Sequence, residues 1–459
     1  MENKYTQVRN YVLGLLERGK LTGEGKLPGA RELASQLGIS LLTVQNALET
    51  LVNEGVLRVI PRQGTFADPA WESRILQSNV SFYMPEKHLP WSFLFREIVA
   101  ERLPQLHLTH RMRNGIFEIR PTLDVQIRHK AYLDAEPFFR KCCSNPDEFF
   151  DIPLEAFYYG KKLAGIPLLF SPRVLFVNLK MLEQAGCPVP EPDWMWEDFL
   201  ECIRILLKTF APECVFHWSP AYFLWMNFVL RAGGALIDPS APDPVLIDSE
   251  KTRLGLQLFR DLRRLLEKNG SYHPQGIYAF EHGKLAFMVD ARQAVGRLLK
   301  TGMNGWTTLP LPHISGGCDT TIQATELLCI RKECVNLDTA EQLVNLLLSE
   351  EFQDHIADLG YGIPLRKSSA ERSLATTLPG NDLFRAELKN MCSRYYLDSE
   401  ELAALVSTGI GELLTGNQDI EQGTAELADL VRSYFRIQRK TALAEQITEE
   451  RVSIYERGA

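Results

Sequence analysis

The 459-residue sequence predicts an α/β protein that carries a small α+β head near its N-terminus. Between Ser40 and Leu51 the apolar residues recur at helical spacing, and a strand, a turn and a second strand follow. From residue 79 onward a strand, a loop and a helix begin an alternating α/β pattern. With 45% hydrophobic and 24% charged residues, the chain has enough apolar material for two or three domains with cores of their own.

Two short helices are predicted in the head. Pro28 and Gly29 open the first helix, and Gly38 supplies the positive φ that ends it. Ser40 caps the second helix. The predicted buried stripe of this second helix is Val44, Ala47, Leu48 and Leu51. The side chains that would then face outward, toward a DNA major groove, are Leu41, Leu42, Gln45, Asn46 and Glu49.

A two-stranded wing is predicted after Gly55. Val56 to Ile60 form its first strand, residues 61–64 its turn, and Thr65 to Ala67 its return strand. Helices and wing together predict a winged helix-turn-helix. Any small helical hairpin with a β-ribbon would give a similar pattern.

The runs KLPGARELASQLGIS, TVQNALETLVNEGVL and RQGTF resemble the winged-helix head of the GntR family of bacterial transcription regulators. The resemblance covers residues 5 to 67 and implies binding to double-stranded operator DNA. In that family one arginine before the recognition helix and two arginines on it usually contact DNA. Only the first is present here, as Arg31, whereas Leu41 and Gln45 occupy the positions of the other two.

This departure predicts an altered base preference. Gln45 can pair with an adenine edge, and Leu41 or Leu42 can pack on a thymine methyl group. Arg58 and Arg62 on the wing are expected to contact phosphates or the minor groove. The complete predicted DNA-binding set is Arg31, Ser40, Leu41, Leu42, Thr43, Gln45, Arg58, Arg62, Gln63 and Gly64.

The charge balance of the head predicts a homodimer. Residues 1–68 contain eight Lys or Arg against seven Asp or Glu, so the head is only weakly basic. Because neutralisation of phosphates drives nonspecific DNA affinity, a single head is expected to bind DNA poorly and to need a second copy.

The composition also limits compartment and cofactors. No apolar run has the form of a signal peptide or approaches the ~18 residues of a membrane span, so we expect a cytoplasmic protein without a membrane partner. All nine cysteines lie beyond residue 141 and form no CxxC pair, which favours reduced thiols over disulfides or a zinc site. We expect neither a metal nor another cofactor.

The segment from Tyr159 to Leu207 resembles solute-binding proteins of the maltose-binding type. Its Gly-Lys turn at 160–161, Gly-Ile-Pro at 165–167, strand ending in Asn178, Ala-Gly at 185–186, proline loop and Trp196 follow the order of that family. Later motifs, such as FEHGKLAFMVD and a closing Leu-Thr-Gly, keep the same order. The resemblance implies a two-lobed, periplasmic-binding-protein-like α/β domain with a small solute in the cleft. The first lobe is shorter than usual, between residues 103 and 150.

A saccharide is the expected solute, because aromatic rings stack on the CH faces of sugars. The resemblance places loops with Trp91, Trp218, Trp306 and Tyr361 near the cleft. Asp290 and Arg292 follow a predicted strand, Leu285 to Val289, and could bind hydroxyl or acid groups. The alternatives are core packing for the aromatic residues and a surface ion pair for Asp290 and Arg292.

We therefore predict a winged helix-turn-helix domain at 1–68, a linker at 69–78, an effector domain at 79–436, called the sensor below, and a C-terminal extension at 437–459. Its function would be ligand-responsive regulation of transcription. Common catalytic motifs such as GxSxG, the P-loop and HExxH are missing from the sequence, which argues against an enzyme. The alternative is a cytoplasmic solute-binding module whose head contacts a protein instead of DNA.

Overall fold

The computed structural model of the chain describes residues 4–21, 25–71, 74, 81–84, 89–103, 106–109, 115–143, 145–267 and 276–457, and from residue 439 onward its backbone only. Most of the predicted linker, 69–78, lies outside these ranges. The elements of the head are α1 (Lys4–Glu17), α2 (Ala30–Leu37), α3 (Leu41–Asn53), β1 (Leu57–Ile60) and β2 (Gly64–Ala67).

The next elements begin with the strand, loop and helix that the sequence predicts, and then mix single strands with runs of helices. They are β3 (Ser81–Tyr83), α4 (Ser92–Arg102), β4 (His107–Thr109), β5 (Phe117–Pro121), α5 (Thr122–Arg128), α6 (Glu136–Cys142), α7 (Ile152–Glu155), β6 (Tyr158–Tyr159), β7 (Lys162–Leu163), β8 (Ile166–Asn178), α8 (Leu179–Ala185), α9 (Trp196–Leu206), α10 (Tyr222–Arg231) and α11 (Glu250–Leu266). The first helix of the pattern predicted from residue 79 onward is α4.

The remaining elements end in a long helix. They are α12 (Ile277–Glu281), β9 (Phe287–Ala291), α13 (Gln293–Thr301), β10 (Trp306–Leu309), β11 (Thr321–Ile330), α14 (Leu337–Leu348), α15 (Glu350–Asp358), β12 (Ile363–Pro364), α16 (Lys367–Leu374), α17 (Asn381–Glu387), β13 (Met391–Cys392), α18 (Glu400–Thr415) and α19 (Ile420–Arg457). The helix α19 crosses the predicted boundary between the effector domain, 79–436, and the C-terminal extension, and it runs without a break to Arg457.

The head folds as its sequence predicts. Gly38 has φ 64°, and the Ser40 side chain accepts a hydrogen bond from the backbone N–H of Thr43, so both predicted helix ends are confirmed. The predicted stripe on α3 is buried. It packs against α1 residues such as Val12, which together with Leu33 of α2 complete a small apolar core.

The chain divides into two compact units, unit 1 (Met1–Val125, His129–Phe170, Thr325–Ala375) and unit 2 (Gln126–Arg128, Ser171–Ala324, Thr376–Ala459). The chain passes from one unit to the other within β8 and again within β11. β8 is buried along nearly its whole length, and its sequence contains two apolar runs, residues 166–170 and 174–177, instead of an alternating pattern.

In unit 1, β3 lies between β4 and β5 and runs parallel to both. The second half of β11 pairs antiparallel with β5, where Leu327 lies opposite Arg120. The sheet and its flanking helices enclose an apolar core that includes Phe82, Trp91 and Phe117.

In unit 2, the second half of β8 pairs antiparallel with both β9 and β10. Asp290 lies opposite Val174 in this register, inside β9. The predicted strand from Leu285 to Val289 was therefore two residues early. Asn178 ends β8 and caps α8 by accepting a hydrogen bond from the N–H of Met181 at 3.3 Å.

Candidate nucleic-acid interface and candidate solute-binding residues

The exposed side of α3 carries the side chains predicted to read bases. Gln45 is exposed and Leu42 is 67% exposed, although a leucine normally gains from burial. Leu41 is half-buried, so its side chain is less available than the pattern suggested. Of the side chains predicted to read bases, the amide of Gln45 and the apolar side chain of Leu42 are therefore both exposed on α3.

The hydroxyl groups of Ser40 and Thr43 together fix the start of α3. Their oxygens lie 2.7 Å apart, and the Ser40 Oγ accepts from the Thr43 N–H at 3.2 Å. Both predicted DNA-binding residues therefore also stabilise the N-terminus of α3. Loss of such an N-cap typically lowers helix stability by about 1 kcal/mol.

The wing turn brings Arg62, Gln63 and Gly64 together at an exposed tip. Ile60 pairs with Gly64, and the Gln63 N–H donates to the Ile60 carbonyl at 3.0 Å. Gly64 has φ 118°, a conformation that favours glycine, and Arg62 adopts a left-handed φ of 61°. A left-handed conformation at a non-glycine residue destabilises the fold by about 1 kcal/mol. The wing turn therefore holds the exposed guanidinium of Arg62 in a strained backbone conformation.

Two further basic residues could be assigned only from the structure. Lys26 forms a bridge with Phe66, and its Cε lies 3.3 Å from the position that a Cβ on Gly64 would occupy, which places an exposed ammonium group beside the wing. Arg9, in contrast, is 4% exposed and donates to both carboxylate oxygens of Glu54, at 2.9 and 2.5 Å. It joins α1 to the end of α3, and its charge is neutralised within the head.

In unit 1, Trp91 and Tyr361 both donate hydrogen bonds to the carboxylate of Glu326. The Trp91 Nε1 donates to Glu326 Oε2 at 2.8 Å, and the Tyr361 hydroxyl donates to Glu326 Oε1 at 2.5 Å. Trp91 is fully buried and packs edge-on against Phe352, whereas Glu326 is half-buried. Sequence reasoning missed Glu326, although a carboxylate within the apolar strand TIQATELLCI was a usable signal.

A second polar cluster in unit 1 is centred on Glu118, which is 1% exposed. It accepts from the Arg120 Nε at 2.8 Å, the Tyr132 hydroxyl at 3.1 Å and the Gly115 N–H at 3.1 Å. Burial raises the pKa of Tyr132, so its hydroxyl stays a donor. Burial alone would lower the pKa of Arg120, but the hydrogen bond and charge of Glu118 reverse the effect and raise it.

Trp218 and Trp306 are packed within unit 2. The Trp218 N–H donates to the Phe259 carbonyl at 2.9 Å, and its ring stacks on that phenyl ring at 5.1 Å. The Trp306 N–H donates to the Met303 carbonyl at 3.2 Å. They are 3% and 6% exposed, and their assignment to a solute site stays a prediction.

Asp290 and Arg292 do not form the surface ion pair considered as their alternative. Asp290 accepts from the Arg173 Nη1 at 3.2 Å. Arg292 is fully buried and donates to Asn381 Oδ1 through Nε and Nη2, at 3.2 and 3.1 Å. Burial lowers the pKa of Arg292 to about 10.

Aromatic and charged groups surround Asp290. The guanidinium of Arg173 lies 4.7 Å from the ring centroid of Phe223, a cation–π arrangement. Burial lowers the pKa of His217, and the negative charge of Asp290 opposes this effect. This cluster of unit 2 combines an oriented carboxylate with a guanidinium and a half-buried ring, groups that can bind hydroxyls and apolar faces.

The described residues contain no group of three or more His, Cys, Asp or Glu side chains arranged to hold a metal ion. Within the same residues, no helix is both long enough and apolar enough to cross a membrane.

Two families match separate parts of the chain. Residues 4–67 match the bacterial regulatory proteins of the gntR family, and residues 144–381, just over half of the chain, match the bacterial extracellular solute-binding proteins. The predicted fusion of these two families is confirmed.

Curated relatives match only in part. The HTH-type transcriptional repressor NagR of Bacillus subtilis is 38% identical over 78 residues, which cover 17% of this chain and 32% of that protein. An uncharacterized lipoprotein encoded in the oleD 5' region of Streptomyces antibioticus is 22% identical over 213 residues, covering 43% of this chain and 47% of that protein. The chain thus spans less than half the length of either relative.

Solved structures show the fold. The substrate-binding protein Lmo0181 of Listeria monocytogenes, in complex with cycloalternan, has a TM-score of 0.66 at 14% identity and covers 78% of this chain and 98% of its own. Maltose-bound MalE3 of T. maritima has a TM-score of 0.64 at 16% identity and covers 77% and 99%. UgpB of Mycobacterium tuberculosis, with glycerophosphocholine, has a TM-score of 0.64 at 13% identity and covers 78% and 98%. These likenesses confirm the predicted solute-binding-protein-like α/β fold.

Proposed function

We propose that the chain, which belongs to the bacterial extracellular solute-binding protein family, is a transcription regulator whose sensor binds a saccharide and alters operator binding. It carries a gntR-family domain at residues 4–67, which supplies the DNA-binding head of this regulator. The observation that carries the proposal is this fusion within one chain. A DNA-binding head must reach the chromosome, so the proposed location is the cytoplasm and the proposed sensor acts there.

Exposed basic side chains support the DNA-binding half of the proposal. Arg31 on α2, Arg58 and Arg62 on the wing and the nearby Lys26 are all exposed. With so few cations per head, we propose a homodimer that reads two half-sites about one helical turn, ~34 Å, apart. A gel-shift with promoter DNA from the chain's own gene neighbourhood, followed by footprinting, tests this, and a protected region without two-fold symmetry would count against the dimer.

Carboxylates oriented by neighbouring side chains support the saccharide half. Glu326 is held by Trp91 and Tyr361, and Asp290 by Arg173. An ionised carboxylate has about four acceptor sites, so each can also accept hydrogen bonds from sugar hydroxyls. The ligands of Lmo0181 and MalE3 are carbohydrates, which adds support, whereas glycerophosphocholine in UgpB gives the competing class.

We expect isothermal titration with a panel of mono- and oligosaccharides to identify a ligand, and Glu326→Gln to weaken its binding by about 10- to 100-fold, since hydrogen bonds to a charged group contribute about 1.5–3 kcal/mol. The matched control is Glu351→Gln, a 57% exposed carboxylate of the same unit, which should leave the affinity unchanged. No heat from any sugar, with tight binding of an amino acid, a peptide or glycerophosphocholine, would remove the saccharide and keep the sensor.

The segment that joins head and sensor should couple ligand to DNA. A ligand shifts a conformational equilibrium only by its differential affinity for the two states, and the usual coupling is about 1–3 kcal/mol, or about 5- to 150-fold in operator affinity. A flexible Gly-Ser insert after Asp68 is expected to leave ligand affinity intact and to reduce this factor towards one. Operator affinity would be measured with and without ligand, and an unchanged ratio would mean that coupling follows another route, such as dimer dissociation.

A second candidate function is that the head binds a protein instead of DNA. Leu42 and Val59 are 67% and 59% exposed on the head, and apolar side chains of this kind suit a protein partner. The same gel-shift distinguishes the two functions. A head that binds a protein instead of DNA would not specifically retard the migration of any operator fragment.

A further inference from the structure

A groove of about 470 Å³ opens on the surface of unit 2 between α9 and the loop that joins α8 to α9. The residues of α9 that line it follow the i, i+3, i+4, i+7 spacing of one helix face, and they are Asp198, Glu201, Cys202 and Ile205. The loop contributes Pro188, Pro190, Glu191, Asp193 and Trp194. A groove between a helix and a loop can hold the side of a second helix.

The groove combines apolar surface with a negative rim. Pro188, Trp194 and Ile205 supply apolar surface. Four of the lining residues are carboxylates, and none of the described lining residues is basic. Arg204, outside the groove, pairs with Glu201 at 3.2 Å and neutralises only one of the four. The groove therefore favours an occupant that is both apolar and cationic.

The helix α19 carries a surface of this character. Leu430 and Ile437 lie seven positions apart on one side of the helix, and each is more than half exposed. Ser433 lies between them on the same side, and its Oγ accepts from the Arg436 Nη2 at 2.8 Å, which holds the guanidinium beside the apolar side chains. Residues 430–444 contain four Lys or Arg and no Asp or Glu. Leu430, Ser433, Arg436 and Ile437 are called the α19 stripe below.

The α19 stripe is presented by a helix that is fixed to its own unit through another side. Leu427 and Val431 are buried, and the Tyr434 hydroxyl lies 2.8 Å from the Oγ of Ser399, which caps α18. Because the stripe and the groove are both exposed in the same chain, they do not cover each other. A partner for each has to come from outside the chain.

We propose that the α19 stripe of one copy docks in the groove of a second copy, so that two equivalent contacts hold a homodimer. The inference rests on the homodimer of the proposed function and assigns its interface to unit 2. Charge complementarity favours a second copy, because each contact brings a cationic helix to the carboxylates. Leu430 and Ile437 are the apolar anchors, at the spacing that helices use in grooves.

The same charges disfavour other pairings. Two α19 stripes placed side by side would bring like charges together, which weakens association. Two grooves placed face to face would do the same with their carboxylates. Of these arrangements, only the stripe of one copy in the groove of the other joins opposite charges in both contacts.

Reversal of charge on either surface tests the contact. Sedimentation equilibrium of the full chain measures the Kd of the dimer. Arg436→Glu in the stripe, or Glu191→Lys with Asp193→Lys in the groove, should each raise this Kd by about 10- to 100-fold, because repulsion replaces attraction in both contacts. The chain that carries all three substitutions should return to within about threefold of the wild type, because each reversed stripe then meets a reversed groove.

The matched control is Lys300→Glu with Asp382→Lys, which reverses exposed charges of unit 2 outside both surfaces and should leave the Kd unchanged. Circular dichroism checks that each variant is folded. If Arg436→Glu does not fold, Leu430→Ala removes an apolar anchor without a change of charge and should also raise the Kd, since alanine favours a helix.

Three results would overturn the interface. They are a wild-type chain that stays monomeric at its highest soluble concentration, a dimer whose Kd no stripe or groove variant changes, and reversals that do not compensate each other. The operator gel-shift keeps this outcome separate from the proposed function. A chain that dimerises as described but retards no operator fragment would keep the interface and remove the regulator, whereas specific retardation by a chain that fails the Kd test would remove the interface alone.

Discussion

Replacing Gln45 by alanine is expected to remove base discrimination at one position of each operator half-site. A bidentate contact between a glutamine and an adenine contributes about 1–3 kcal/mol of discrimination. Because a homodimer makes the contact twice and mismatches at separated positions add roughly, the loss should total about 2–6 kcal/mol. Affinities for operators that carry each base pair at that position, with wild type and variant, measure the effect.

Two controls make this result specific to base reading. Gln36→Ala removes an exposed glutamine from α2, where it binds Tyr11 and Glu32, and should leave base preference unchanged. Arg31→Ala and Arg62→Ala should weaken binding to all sequences alike and reduce the dependence on salt, as expected for phosphate contacts. If footprints of the Gln45, Arg31 and Arg62 variants all equal the wild type, the assignment of α3 to the major groove is wrong.

Replacing Glu118 by glutamine is expected to lower the free energy of unfolding by about 3–5 kcal/mol, the usual cost of breaking a buried ion pair from one side. Glutamine keeps the volume but removes the negative charge beside Arg120, which is only 5% exposed. The Tyr132 hydroxyl and the Gly115 N–H would also lose their charged acceptor. Thermal unfolding followed by circular dichroism should show a melting temperature lower by about 10 °C.

The control for this variant is Glu333→Gln. Glu333 pairs with Arg331 at 3.1 Å but is 59% exposed, so its replacement should cost less than about 1 kcal/mol. Equal melting temperatures for the two variants would show that burial of Glu118 does not decide the strength of its ion pairs.

The sequence by itself determined the head almost residue by residue. Gly38 and Ser40 mark helix ends through conformations and hydrogen bonds that involve neighbours within a few positions, and the stripe on α3 follows from helical periodicity alone. The wing was predicted within one residue at each strand end, because its turn is local as well. The identity of both families could also be predicted, since their motifs are short runs that keep their order.

The sequence could not decide which charges are available. It counted Arg9 as one of the basic residues of the head, whereas the fold pairs Arg9 with Glu54, 45 positions away. It likewise offered an ion pair between Asp290 and Arg292, which are close in sequence, as the alternative to a solute-binding role. In the structure, the register of β9 brings Asp290 to Arg173. Arg292, at the start of α13, donates to Asn381.

Only the tertiary structure decided the partners of the candidate solute-binding residues. Trp91 and Tyr361 were predicted separately, and both donate to Glu326, which lies 235 and 35 positions away from them. The physical reason is that helix periods, caps and turns depend on neighbours along the chain, whereas ion pairs and shared hydrogen bonds depend on sheet register and packing, which no local pattern encodes.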